Sequence, residues 1–330
     1  QFTISKNDSG QRLNKFLEKA VPLLPGGMMH KYIRIKRIKV NGKRTDFAYR
    51  LQQGDILQLY INDEFFGKPK KHSEEASYLH AKPNIDVIYE DQHILLVNKP
   101  AGLVVHADDS GTSDTLIARI QAYLYQYGRW DPNKEASFTP SLCNRIDRGT
   151  SGIVIAAKTA EALRVMNQKI RDRELHKSYL CVACGHVRPR DGRIKNYILR
   201  HESEHRVSVH DHPVAGARTA ITQYRVLKET PELSLVECDL ITGRTHQLRA
   251  QFSHMGHPLL GDSKYGKNEM NRKYHRKSQA LCSYKLRFDF TTDAGSLGYL
   301  NHKVFTAPRV EFVSLFEDLS LIHISEPTRP

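Results

Sequence analysis

Asp147 stands between Arg145 and Arg148 in the run Asn144-Arg-Ile-Asp-Arg-Gly-Thr-Ser-Gly152. A short continuous apolar stretch, residues 153–157, follows at once and reads as a buried strand entered from a turn. A loop at the rim of a buried strand is a common way to present a single acid. The two guanidinium neighbours favour the ionised form of that acid. An anionic carboxylate suits nucleophilic or base chemistry and is a poor proton donor. Two further stretches carry reactive or recognition side chains. One is Lys177-Ser178-Tyr179-Leu180. The other is Thr242-Gly-Arg244-Thr-His246-Gln-Leu-Arg249, with Gly256-His-Pro-Leu259 and Gly261-Asp262-x-x-Tyr265-Gly266 behind it.

In this order, the three stretches resemble the signature of the large ribosomal-RNA pseudouridine synthase family, whose first motif is His-Arg-Leu-Asp-Arg-x-Thr-Ser-Gly. Asn144 replaces the His and Ile146 the Leu; neither change touches the acid, and Asn144 is free to contact RNA or neighbouring backbone. The resemblance spans roughly residues 80–315. It implies an isomerase that breaks the bond from ribose to uracil N1, turns the base and rejoins it through C5, with no metal and no redox cofactor. It implies Asp147 as the essential carboxylate, acting either as nucleophile at C1′ or as base on the ribose. Tyr179 would stack on uracil and relay a proton. Arg249 would hold the acid through two parallel donors. Arg145 would fill the space left by the flipped uridine. Arg148, Lys177, His246 and the basic segment 264–277 would meet phosphates. A catalytically idle RNA-binding or ribosome-assembly protein, or a transfer-RNA enzyme of the same chemistry, is the alternative.

The whole chain carries a formal charge of +14 over 330 residues, and the excess is uneven. Residues 1–72 hold 15 Lys/Arg and 6 Asp/Glu, a net +9. That balance points to a polyanionic partner. Segment 31–44 has seven cations and no acid, with Lys31, Arg34, Lys36, Arg37 and Lys39 as its candidate RNA contacts. No run of 18 apolar residues is present, so no membrane span is expected. No signal peptide is visible, although the chain starts at Gln1 rather than Met. Five cysteines, an odd number, fit a reducing compartment and a cytoplasmic location. Cys181-Val-Ala-Cys184 looks like a redox or metal pair, but it falls in a predicted strand, where positions i and i+3 face opposite ways. His201, His205, His210 and His212 lack the partners of a tetrahedral site. No metal and no bound cofactor is therefore expected. The expected partner is RNA, of the large-subunit (23S-type) ribosomal kind or within a pre-ribosomal particle, and the chain is expected to be a monomer.

These groups need elements to hold them. Leu13, Phe16, Leu17 and Ala20 recur at helical spacing, Gly26-Gly27 interrupts, and a basic helix is predicted near residues 28–35. Residues 37–40 read as a strand ending in the tight-turn pair Asn41-Gly42, and residues 51–59 alternate as another strand. This unit resembles the small S4-like RNA-binding module. Residues 85–89 and 94–97 read as a hairpin around Asp91, and helices are predicted over 114–127, from Thr159 to about Ile170, and over 245–255. Residues 223–228 and 233–240 alternate as paired strands. The fold class is α+β: a mixed, largely antiparallel sheet with flanking helices, plus a small N-terminal S4-like α/β domain. The expected division is an RNA-binding domain at 1–65, a linker at 66–83, a catalytic domain at 84–318, and a tail at 319–330 read as non-native or disordered.

Overall fold

The alternating and continuous apolar runs fold into one large mixed sheet, and the basic N-terminal third builds a small sheet of its own. The computed structural model describes residues 1–66, 77–107, 112–201 and 203–316. The tail expected at 319–330, and residues 67–76 of the expected linker, lie outside the described residues.

In the N-terminal unit four strands line up in the order Phe2–Thr3, Ile56–Leu59, Ile38–Val40, Lys43–Arg44. Helices Leu13–Ala20 and Gly26–Arg34 pack over them, burying Leu13, Phe16, Leu17, Met29 and Ile33 in one apolar cluster. The expected tight turn is present: Asn41 and Gly42 both take positive φ, 52° and 73°, as a two-residue turn of the hairpin class requires. The second helix starts two residues earlier than expected, with Pro25 at its N-cap and the glycine pair inside its first turn rather than before it.

The large sheet runs in the order Arg206–His210, Asp191–His201, Arg218–Glu229, Leu233–Leu240, Leu175–Cys184, Leu281–Phe288, Ser151–Ala157, Ile94–Lys99, Val87–Glu90. Every neighbouring pair is antiparallel except Leu281–Phe288 beside Ser151–Ala157. That parallel contact is short and lies at the start of the strand after the Asp147 loop, where Gly152 meets Ser283. Gly152 takes φ +107°, and a Cβ there would fall 2.2 Å from the Ser283 carbonyl oxygen. Only glycine allows this approach of backbone to backbone.

Helices cover both sheet faces. Leu116–Gln126 and Gln247–His254 pack on one side with Leu95, Val154, Cys181 and Val236. Ala160–Arg171 packs on the other with Ile94, Ile155 and Phe288. Thr159 is the N-cap of this helix, its hydroxyl accepting from Ala162 N–H at 3.1 Å. Cys181 and Cys184 belong to different apolar clusters, as expected for positions three apart in a strand. Among the described residues no helix is long and apolar enough to cross a membrane.

Candidate active site

The loop carrying Asp147 is pinned on both sides of the acid. Ile146 is buried in the main core, and Thr150 is buried with its hydroxyl accepting from Gln279 Nε2 at 3.2 Å. A turn closes through Thr150 N–H to Asp147 C=O at 3.0 Å. The carbonyl of Arg148 accepts from Gly102 N–H at 2.8 Å and from Lys99 Nζ at 3.1 Å. Lys99 is fully buried and also donates to the carbonyls of Pro100 and Leu103. All three ammonium protons are thus used, which is what makes a buried lysine tolerable. Burial still pulls its pKa down, to about 8, against the raising effect of Asp147. Asn144 turns to neighbouring backbone: its Oδ1 accepts from Ile155 N–H at 2.8 Å.

Arg249 reaches this acid from the helix Gln247–His254, 102 residues along the chain. Its Nη1 donates to Asp147 Oδ2 at 2.9 Å. The fork expected for Asp147 is spent on a different carboxylate: Nε and Nη2 donate to the two oxygens of Asp262 at 2.7 and 2.9 Å. This corrects the expectation of two parallel donors on Asp147. One bond goes to the acid at the rim, and the bidentate pair goes to an acid with no exposed surface. The physical reason is burial. A fully desolvated carboxylate needs more compensation than one whose side chain remains 28% exposed, as that of Asp147 does. Burial alone would raise the Asp262 pKa, but the Arg249 bonds and the N–H groups of Tyr265 and Lys264 outweigh it and the net shift is downward. Burial likewise opposes the Arg249 charge, and its bonds to Asp262 and then Asp147 reverse that and raise its pKa.

The helix itself buries polar as well as apolar side chains. Gln247, Arg249 and Gln251 are buried along with Leu248 and Phe252, while Met255 is half-buried. The glutamines are satisfied. Gln247 Oε1 accepts from Arg244 N–H and Thr242 Oγ1, both at 3.0 Å, and Gln251 Oε1 accepts from Thr222 Oγ1 at 2.6 Å. These polar ties lock the helix to the strand Arg218–Glu229 and so fix the direction of Arg249.

Tyr179 comes from the strand Leu175–Cys184, is buried, and lies opposite Ser283 of the neighbouring strand. Burial first, with the Asp147 charge adding to it, pushes the phenol up to about 12. The phenol therefore stays protonated at neutral pH, which fits stacking and hydrogen-bond donation and makes a phenolate costly. Lys177 is half-buried two positions along the same strand, opposite Leu286 across a bulge in the neighbouring strand. Burial pulls its pKa down while the nearby Cys143 thiol works the other way. An exposed phosphate contact does not fit that placement. His246 is likewise turned inward, with Nε2 3.8 Å from Asp147 Oδ2.

The remaining candidates are at the surface. Arg145 and Arg148 are exposed, and Arg148 Nε donates to Gly102 C=O at 3.1 Å. Lys31, Arg34, Lys36 and Arg37 are exposed and Lys39 is half-buried; Arg37 lies over the Tyr32 ring and Lys39 over that of Tyr60. In the segment 264–277, Lys264, Lys273 and Arg276 are already engaged, with His205 C=O, Glu232 and Glu311. The sequence assigns no role to Lys99, Asp262 or Tyr265. Asp262 and Tyr265 stand in the Gly261-Asp-x-x-Tyr-Gly stretch, but nothing local marks them as partners of Arg249 and His246.

The chain also matches known proteins over most of its length. A family model described as RNA pseudouridylate synthase matches residues 93–254. An RNA pseudouridine synthase of Bacillus subtilis is 32% identical over 275 residues, covering 81% of this chain and 82% of its own length. The ribosomal large subunit pseudouridine synthase C of Escherichia coli is 31% identical over 275 residues, covering 82% and 81%. That of Vibrio cholerae is 30% identical over 269 residues, covering 80% and 79%. The solved structure of human RNA Pseudouridylate Synthase Domain Containing 1 shares the fold, with TM-score 0.54 and 24% identity over 71% of this chain and 86% of that one.

Proposed function

The chain belongs to the RNA pseudouridylate synthase family, and from that premise we propose that it isomerises uridine in large-subunit ribosomal RNA with Asp147 as the essential carboxylate. That it is an RNA pseudouridine synthase follows from membership. The choice of RNA draws on the names of the Escherichia coli and Vibrio cholerae relatives. The observation that carries the Asp147 assignment is the 2.9 Å bond from buried Arg249 to an acid that remains open to solvent on its other side. A solvated loop aspartate would have no such partner.

The isomerisation balances without any co-reactant. The C1′–N1 bond breaks, a C1′–C5 bond forms, the C5 proton leaves, and N1 gains a proton. Arg249 supports Asp147 through Oδ2, and among the described residues no hydrogen bond reaches Oδ1. Oδ1 is therefore the oxygen presented to the ribose, for attack at C1′ or for proton removal. Tyr179 supplies a ring to stack on uracil and a hydroxyl to donate. Arg145, exposed and next but one to the acid, is the side chain to occupy the space the flipped uridine leaves. Arg148 and the exposed cations Lys31, Arg34, Lys36 and Arg37 hold the backbone of the RNA. The same reading divides the chain into an RNA-binding unit at 1–65, a linker at 66–83 and a catalytic unit at 84–318, the first built around its own buried apolar cluster.

The test is Asp147→Asn, which keeps the shape and removes the charge. Tritium release from C5-labelled uridine should fall to background while RNA affinity stays within a few-fold of the parent. Appreciable turnover by the asparagine variant would sink the assignment of Asp147.

A further inference from the structure

His246 is held in a way that a phosphate-binding histidine does not need. It is the residue before the helix Gln247–His254 and takes left-handed backbone angles, φ 51° and ψ 23°. A non-glycine residue in that region is uncommon and persists where its surroundings over-determine it. The side chain is only 14% exposed. One ring nitrogen, Nδ1, is 2.9 Å from the hydroxyl of Tyr265. The other, Nε2, is 3.8 Å from Asp147 Oδ2, the same oxygen that Arg249 binds.

The bonds of Tyr265 favour one tautomer. Tyr265 Oη already accepts from Val207 N–H at 2.9 Å. Its hydroxyl has one proton to give, and among the described residues His246 Nδ1 is the acceptor within reach. An Nδ1 that accepts carries no proton, so the proton of the neutral imidazole is on Nε2. That is the nitrogen facing the catalytic loop.

We propose that His246 is a second positioning residue for Asp147: Tyr265 fixes its imidazole as the Nε2–H tautomer, and Nε2–H donates to Oδ2 when RNA fills the site. The inference rests on the assignment of Asp147 above. The 3.8 Å separation is longer than a hydrogen bond, as such contacts often are before substrate tightens them. The surroundings favour a neutral ring. Burial acts first to pull the His246 pKa down; Arg249 and Lys264 push the same way, against Asp147 and Asp262. Tyr265 is itself braced, with the guanidiniums of Arg249 and Arg206 at 5.3 and 5.4 Å from its ring centroid and the His246 ring edge-on at 5.6 Å. Two donors then converge on Oδ2, and the carboxylate can rotate only by breaking both. Oδ1 stays aimed outward.

The tautomer can be read directly, without activity. In uniformly 15N-labelled protein, long-range proton–nitrogen correlation at neutral pH should give His246 the Nε2–H pattern, and Tyr265→Phe should convert it to a mixture. An Nδ1–H ring or an imidazolium in the parent would overturn the inference. Single-turnover rates at saturating RNA supply the second arm. His246→Gln, whose amide can stand where Nε2–H stood, should keep the rate within a few-fold. His246→Ala should lose on the order of tenfold or more, with RNA affinity nearly unchanged. Equal losses in the two variants, or a loss confined to affinity, would show a structural or phosphate-binding role instead. Turnover by Asp147→Asn would remove the Asp147 assignment whatever tautomer is seen. The wrong tautomer would remove the His246 role and leave Asp147 standing.

Discussion

Replacing Arg249 by lysine keeps the charge and should nonetheless be severe. The guanidinium makes three bonds at once: two to Asp262 at 2.7 and 2.9 Å and one to Asp147 at 2.9 Å. A lysine Nζ is a single point and cannot span both carboxylates with the same geometry. At least two charge-assisted bonds are lost, each worth about 1.5–3 kcal/mol. Asp147 is part-exposed and solvent screens its share, so most of the stability loss falls at Asp262, which has no exposed surface. The N–H groups of Lys264 and Tyr265 still reach Asp262 and limit the damage. A net destabilisation of about 3 kcal/mol is expected. The effect on rate is separate. Once its Oδ2 is no longer anchored, Asp147 loses its fixed direction, and misplacement of a catalytic group by about 1 Å costs roughly a hundredfold in rate. Single-turnover tritium release at saturating RNA, below the melting temperature of the variant, measures that loss, and a urea titration measures the stability. A lysine variant with near-parental rate would refute the claim that the guanidinium aims Asp147. A near-parental urea midpoint would refute the claim that Asp262 depends on the fork.

Gly152→Ala should destabilise the protein by about 3 kcal/mol, because the added Cβ meets the Ser283 carbonyl and φ is positive; a parental denaturation midpoint would show that the two strands can part cheaply. Glu174, with its Lys169 bond the largest cause, has its pKa held down to about 2, against 4.5 for an ordinary glutamate. Its contribution is therefore fully present above pH 4.5 and is lost as pH falls toward 2. Glu174→Gln should flatten the dependence of the urea midpoint on pH across that window, and an unchanged acid limb would assign it to other carboxylates. Changing Lys31, Arg34, Lys36 and Arg37 together to serine should weaken RNA binding more than it slows the chemical step. Each lost phosphate contact should lower the log–log salt slope by about 0.7–0.9, so an unaltered slope would take this face out of the RNA-binding surface.

Several features of this chain are written locally and are legible in its amino-acid order alone. Thr159 caps its helix because a hydroxyl next to a helical apolar pattern has the first free N–H groups within reach. Asn41-Gly42 makes its turn because those two residues tolerate positive φ. The core strand after Asp147 is a continuous apolar run, buried on both faces as such runs are. The run Asn144–Gly152 places a carboxylate on a loop that leads into that strand. The tertiary structure decides what the acid meets. Arg249 lies 102 residues away, and whether it forks Asp147 or Asp262 depends on which carboxylate the fold deprives of water. The inward turn of His246 and Lys177 also follows from the fold, since a basic residue in a motif has the same letter whether it faces a phosphate or a buried neighbour. Gln247 and Gln251 carry no local sign of burial and become buried anchors, because strand Arg218–Glu229 offers them partners that only chain packing brings near. Periodicity records the average polarity of a face. The cost of burying a polar group is set by the partner opposite it, and that partner is chosen by the three-dimensional fold.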